Sequence, residues 1–146
     1  MTGKIENVNA LKYILAGKSL FTVKNEQTGN RFTFKVINLQ RINKSNPDNL
    51  WFVKILTSSD NENGYRFIGT VYKNGTYHYK HSSKARISQD APSVKVFMWL
   101  LTRLNAGNLP EIITFYHEGR CGRCGRRLTV PESIISGFGP ECINYV

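Results

Sequence analysis

Cysteine is scarce in this chain and acids are outnumbered. Three cysteines occur in 146 residues, and ten Asp and Glu face twenty Lys and Arg. An odd cysteine count does not fit the paired framework of a small secreted domain. A metal site in a reducing cytoplasm fits it better. Residues 1–10 lack the apolar run of a secretory signal, and residues 10–16 are too short and too polar to span a membrane. No membrane partner is therefore expected. There is no internal repeat and no low-complexity tract. The shortage of acids leaves a net charge of +10 and a pI near 9.7. Such a surplus favours a polyanionic partner, with nucleic acid or a nucleoprotein complex foremost.

The surplus is concentrated. Residues 31–103 hold twelve basic residues against four acids, a net of +8. Residues 104–116 hold only Glu111, and residues 117–146 hold four arginines against three acids. The basic character thus belongs to the middle of the chain, where aromatic residues are also dense.

Hydrophobic periodicity divides this middle into strands. Val8, Leu11, Ile14 and Leu15 recur at helical spacing before Gly17, which predicts a short helix over 9–16. Residues 20–23 and 32–36 then flank Gln27-Thr28-Gly29-Asn30, a hairpin signature. Residues 51–56, 65–72 and 76–80 read as three further strands. The last two are joined by Asn74-Gly75, whose residues suit a two-residue turn with positive φ. Residues 41–49 and 58–63 read as polar loops. Ser93 is placed to cap a helix carrying Phe97, Leu100, Leu101 and Leu104 on one face, ended by Gly107 and Pro110. Residues 112–116 read as an extended segment.

Arg31, Lys35, Lys54, Arg66, Lys73 and Lys80 lie in or beside the predicted strands. They interleave with Phe32, Phe34, Phe52, Tyr65, Tyr72, Tyr77 and Tyr79. Cations between aromatic platforms suit single-stranded nucleic acid, in which bases stack and phosphates pair with charge. Alternating aromatics are equally the ordinary core of a sheet. Lys84 and Arg86, in a loop over 81–92, are further candidates for phosphate contact. His78 and His81 read as surface residues without a role.

The C-terminal thirty residues contain His117-x3-Cys121-x2-Cys124-x17-Cys142. Two thiolates two residues apart, with a third from a second turn, suit a tetrahedral zinc ion. Gly122 and Gly125 would supply the backbone angles of the first turn. His117 is the first choice for the fourth ligand. Glu141, the Val146 carboxylate, a water or a partner's residue are its rivals. Arg120, Arg123, Arg126 and Arg127 would favour thiolates, and could also contact phosphate or acidic side chains. Thr129-Val130-Pro131-Glu132 has capping-box spacing, which predicts a short helix ended by Gly137. Ile134 and Ile135 would form an apolar lid over the metal. A redox role for Cys121 and Cys124 lacks the surrounding βαβ pattern. A deaminase would need His-x-Glu and a Pro before the first cysteine, which are missing.

The run from Cys121 through Gly-Arg-Cys-Gly-Arg-Arg-Leu-Thr-Val-Pro-Glu-Ser-Ile-Ile-Ser-Gly-Phe-Gly-Pro-Glu to Cys142 resembles a small uncharacterised domain found in bacteriophage and mobile-element proteins. Phe138 stands where that family often has Ile. Phe32-Thr33-Phe34, Trp51-Phe52-Val53, Phe67-Ile68-Gly69-Thr70 and His117-Glu118-Gly119-Arg120-Cys121 are similar to phage homologues too. The resemblance implies a metal-bound module and a phage origin, hence the host cytoplasm.

The expected fold is α+β. It comprises an antiparallel five-stranded sheet with one packed helix and a short N-terminal helix, over residues 1–110. A zinc-knuckle, treble-clef-like module follows over 111–146. The expected function is a non-enzymatic phage accessory protein that binds nucleic acid or a nucleoprotein complex. The alternative is an anti-CRISPR-like inhibitor of host defence that acts by protein–protein binding.

Overall fold

Strict alternation over Arg31–Asn38 puts Phe34 and Val36 on one side of a strand and Arg31, Thr33 and Lys35 on the other. The same two-sided pattern runs across most of the sheet, and it decides what the protein can present to a partner. A computed structural model describes residues 3–58 and 63–146. The polar loop expected over 58–63 lies mostly outside the described residues.

The chain is α+β, as expected. In order it forms β1 (Gly3–Ile5), α1 (Asn7–Ile14), β2 (Lys18–Asn25), β3 (Arg31–Asn38), β4 (Leu50–Leu56), β5 (Tyr65–Asn74), β6 (Thr76–His81), α2 (Pro92–Ala106), β7 (Ile113–His117) and α3 (Pro131–Ser136). Short 3-10 turns cover Leu39–Arg41 and Cys142–Tyr145. The strands form one antiparallel sheet in the order β1-β7-β2-β3-β4-β5-β6.

Among the described residues the sheet therefore has seven strands, not five. The two additional strands are β1 and β7. Three-residue β1 is too short for a period to register. β7 reads in sequence only as an extended segment, because its partners are distant along the chain: Phe115 lies opposite Val23 and also opposite Ile5. β7 opens the C-terminal segment that begins at residue 111, yet it is hydrogen-bonded inside the main sheet. Cys121, Leu128, Phe138 and Cys142 are continuous with the same hydrophobic core as Phe34 and Phe97.

Both long helices pack on one face of the sheet. Phe97 of α2 meets the rings of Phe34 and Tyr79, at centroid distances of 5.2 and 5.5 Å. The indole Nε1 of Trp51 donates to the Leu15 carbonyl at the end of α1, at 3.1 Å. Phe21, Val36, Val53, Val71 and Phe115 complete this covered face and are fully buried. Between β4 and β5 the register shifts at Val53/Lys54, which leaves Ile68 outside the paired positions but buried in the core.

The helix boundaries differ from the sequence reading in their caps. α1 starts at Asn7, two residues early. α2 starts with Pro92 at its first position and α3 with Pro131, and neither has a side-chain cap. Proline fixes the entry angle, and its missing N–H is one that the first turn of a helix leaves unpaired in any case. Gly107 and Gly137 end these helices as expected.

A thiol cluster beside an open basic sheet face

Two sites emerge from this architecture, and they adjoin. The first is a cluster of Cys121, Cys124 and Cys142, whose Sγ atoms lie within 4.8 Å of one another. Backbone hydrogen bonds build the turn that aims the first two. Cys121 N donates to the Arg126 carbonyl and Gly125 N to the Cys121 carbonyl, at 2.8 and 2.9 Å. Gly125 takes φ +80°, a left-handed conformation that favours glycine. Gly122 does not share that role. It is required for space, because a Cβ there would stand 2.6 Å from the Tyr13 ring.

The cluster is tuned electrostatically. Burial raises the Cys121 thiol, but N–H donors of Cys124, Gly139 and Arg123 outweigh it and hold the group below its ordinary value. Gly139 N lies 3.4 Å from Cys121 Sγ. Cys142 moves the other way, raised first by burial and then by its two sulfur neighbours, with Arg123 opposing. Arg123 sits 3.5 Å from Cys142 Sγ through Nη1 and stacks over Tyr145 at 4.5 Å, so it faces the thiols. Three thiols so placed can hold a metal ion.

His117 does not join them. It is fully buried at the end of β7, and both ring nitrogens are engaged by the backbone. Gly119 N donates to Nδ1 at 3.1 Å, so the ring proton resides on Nε2, which donates to the Ile134 carbonyl at 2.6 Å. The ring braces α3 against β7, and Gly3 of β1 lies flush against it. The expected apolar lid is also different. Ile135 is 78% exposed, while Leu128 and Phe138 are the buried residues of this region. Arg126 and Arg127 border a cavity of about 540 Å³ that also contacts the three cysteines, Ser133 and Glu141.

The second site is the sheet face that no helix covers. Register assigns its side chains. Leu20 lies opposite Lys35, Lys35 opposite Lys54, and Lys54 opposite Phe67, a row across four strands. Ile37, Phe52, Thr70 and Lys80 form the next row, and Lys24 and Arg31 are paired at the far end of β2 and β3. Of the cations read from the sequence, Arg31, Lys35, Lys54 and Lys80 thus share the open face. Lys73 is instead on the helix-covered side, with its ammonium 5.7 Å from the Tyr77 ring. Arg66 lies opposite Ile55 at the sheet's end. There it borders a cleft of about 300 Å³ with Lys54, Tyr65, Phe67, Lys84 and Arg86.

The aromatics divide in the same way. Phe34 is buried core, and Phe32, Tyr77 and Tyr79 pack against that core. Phe52, Tyr65 and Tyr72 are half-buried on the open face, joined by Phe67, whose ring meets Phe52 at 5.3 Å. Sequence reasoning missed Phe67 because the bulge at Ile68 displaces the alternation. Lys35 lies 4.3 Å over the Tyr65 ring. Its ammonium is depressed below the ordinary lysine value, first by burial, then by Lys54 and Arg120. Among the described residues the one ion pair is Lys24–Glu26, at 3.4 Å, so these central cations have no acidic partner within salt-bridge reach.

Residues 114–144 match the profile of a family of unknown function (DUF6011). The match runs from β7 through Cys142 and so contains the entire thiol cluster. No curated protein and no solved structure matches the chain. Among the described residues no helix is long and apolar enough to cross a membrane.

Proposed function

We propose that this chain is a non-enzymatic accessory protein of phage origin that binds nucleic acid on its open sheet face and carries a structural zinc ion. The carrying observation is the Lys35–Lys54 pair. Like charges directly opposite on a sheet are destabilising, and no acid among the described residues forms an ion pair with either lysine. Such a pair with aromatic neighbours suits a ligand that supplies both negative charge and flat rings. Single-stranded nucleic acid is that ligand, since each base stacked on an aromatic contributes on the order of 1–3 kcal/mol.

Zinc is the metal that the donor set supports. Zn–S bonds near 2.3 Å in a tetrahedron separate sulfurs by about 3.8 Å, a spacing compatible with a cluster inside 4.8 Å. Cys121, Cys124 and Cys142 would hold the ion, in a zinc knuckle of treble-clef-like character, and its contribution is folding free energy. A water or Glu141 completes the shell, since both nitrogens of His117 are occupied.

The test is binding of a labelled oligothymidylate across a salt series. The wild-type association constant falls steeply with salt. Lys35→Glu combined with Lys54→Glu weakens it by more than tenfold and flattens the slope by about two or more. Absence of binding at low salt to both single-stranded and duplex probes would overturn the reading. Capture of a host protein that survives nuclease digestion would replace it with the protein-directed inhibitor.

A further inference from the structure

The two sites share a wall. Lys18 N donates to the Gly122 carbonyl at 2.8 Å, which ties the start of β2 to the cysteine turn. Arg120 immediately precedes Cys121, and its backbone bridges to Arg127 on the far side of that turn. Its guanidinium reaches back to the Gly125 carbonyl through Nη1 at 3.4 Å. The side chains of Lys18 and Lys35 approach from the sheet. Between them lies a cleft of about 420 Å³ lined by Lys18, Ser19, Leu20, Lys35, Ile37, Arg120 and Gly125. Among the described residues it has three cations, no carboxylate in its lining and a floor of apolar sheet side chains.

We propose that this cleft is a phosphate subsite for single-stranded nucleic acid, with Arg120 positioned by the metal-organised turn and Lys18 and Lys35 supplied by the sheet. The inference rests on the nucleic-acid reading above and adds to it a place, a direction and a dependence on metal. The place is one end of the Leu20–Lys35–Lys54–Phe67 row. The cleft holding Lys54, Lys84 and Arg86 lies at the other end. A strand of nucleic acid spanning both clefts runs across the β-strands, with phosphates at the two basic ends and bases over Phe52, Phe67 and Tyr65 between them.

Charge chemistry favours phosphate as the occupant. Lys35 already feels Arg120 and Lys54 as repulsion, so an anion that enters the cleft relieves a strain present in the free protein. Glu118 begins where the row meets β7, with its N–H on the Leu20 carbonyl, and it forms no ion pair with Lys35. The dependence on metal follows from connectivity. Arg120 is held through the Gly125 carbonyl, and Gly125 is held by the turn between Cys121 and Cys124. A loosened turn frees the Arg120 guanidinium, while the Arg120 carbonyl stays on the Tyr13 hydroxyl and Lys35 and Lys54 remain fixed by strand pairing.

The experiment measures oligothymidylate affinity of metal-loaded wild type, Arg120→Gln, Lys18→Gln and Arg103→Gln. Arg103 stacks on Trp99 of α2 and serves as a distant control. Arg120→Gln and Lys18→Gln each lose about five- to tenfold affinity at moderate salt and lower the salt slope by about one, while Arg103→Gln changes neither. Chelation, with the sheet monitored by circular dichroism, costs the wild type a similar factor and costs Arg120→Gln nothing further. Full affinity in Arg120→Gln, with loss in the Lys35/Lys54 variant, overturns the subsite and leaves the sheet reading intact. An equal chelation penalty in wild type and Arg120→Gln also overturns it. No oligonucleotide binding by any form removes both, and saturable binding of inorganic phosphate alone excludes a polymer as the source.

Discussion

His117 illustrates how spacing and packing can compete for one residue. Its distance of four from Cys121 fits a ligand, yet the imidazole is consumed by Gly119 N–H and the Ile134 carbonyl. Nothing in the local sequence reveals this, because the Ile134 contact depends on how α3 folds back on β7. His117→Ala should therefore keep the metal content measured by mass spectrometry, while stability drops by about 2–4 kcal/mol through the cavity and the lost hydrogen bonds. Loss of metal from a variant that stays folded would restore His117 as a ligand. Gly122 makes the same point. Its presence in the cysteine turn was legible, but its reason, the face of Tyr13 2.6 Å from an added Cβ, was not. Tyr13 itself belongs to α1, and its hydroxyl donates to the Arg120 carbonyl at 2.8 Å.

Among elements, the strands with clean alternation were readable and the irregular ones were not. β3 announces itself through Phe-x-Phe, and Asn-Gly marks the β5–β6 hairpin, although only Gly75 takes a positive φ while Asn74 stays in β5 opposite Thr76. β5 does so only up to its bulge, and β1 and β7 depend on each other and on β2. Which of the two faces would be covered was legible only in part, since Phe32 and Phe52 look equivalent in sequence. The cysteine turn was the most legible element, because its glycine and thiol chemistry is local. Its behaviour follows from opposing shifts on two of its thiols. Cys121 is depressed and Cys142 raised, so near neutral pH Cys142 retains its proton in the metal-free protein. Metal uptake displaces that proton, and affinity rises by about tenfold per pH unit for each proton displaced. Titration calorimetry in buffers of different ionisation enthalpy should show net proton release near pH 7, part of it from Cys142, and Cys142→Ser should lower it. Metal affinity independent of pH between 6 and 8 would count against thiolate ligation.

For the whole molecule, the basic surplus of residues 31–103 maps only in part to the uncovered sheet face, and Lys73 and Phe34 show that membership is decided by register. The sequence placed the boundary of its C-terminal unit before β7, while the sheet incorporates that strand between β1 and β2. A chain ended at residue 112 consequently loses β7, exposes the edge of β2 and deprives β1 of its partner. It should self-associate, detected as early elution on size exclusion and by light scattering. Cys124→Ser, which keeps β7, should elute like the wild type. Identical elution of the truncated chain would show that the sheet closes without β7.

The insertion of β7 also sets a timetable. Val23 leaves the ribosome long before its partner Phe115, a delay on the order of ten seconds at ordinary translation rates. Throughout that interval one edge of β2 is bare, guarded only by its own Lys18 and Lys24. The cysteines emerge later still, after the closing strand. A metal held by them could not guide the early assembly of the sheet and would act as a latch on the final step.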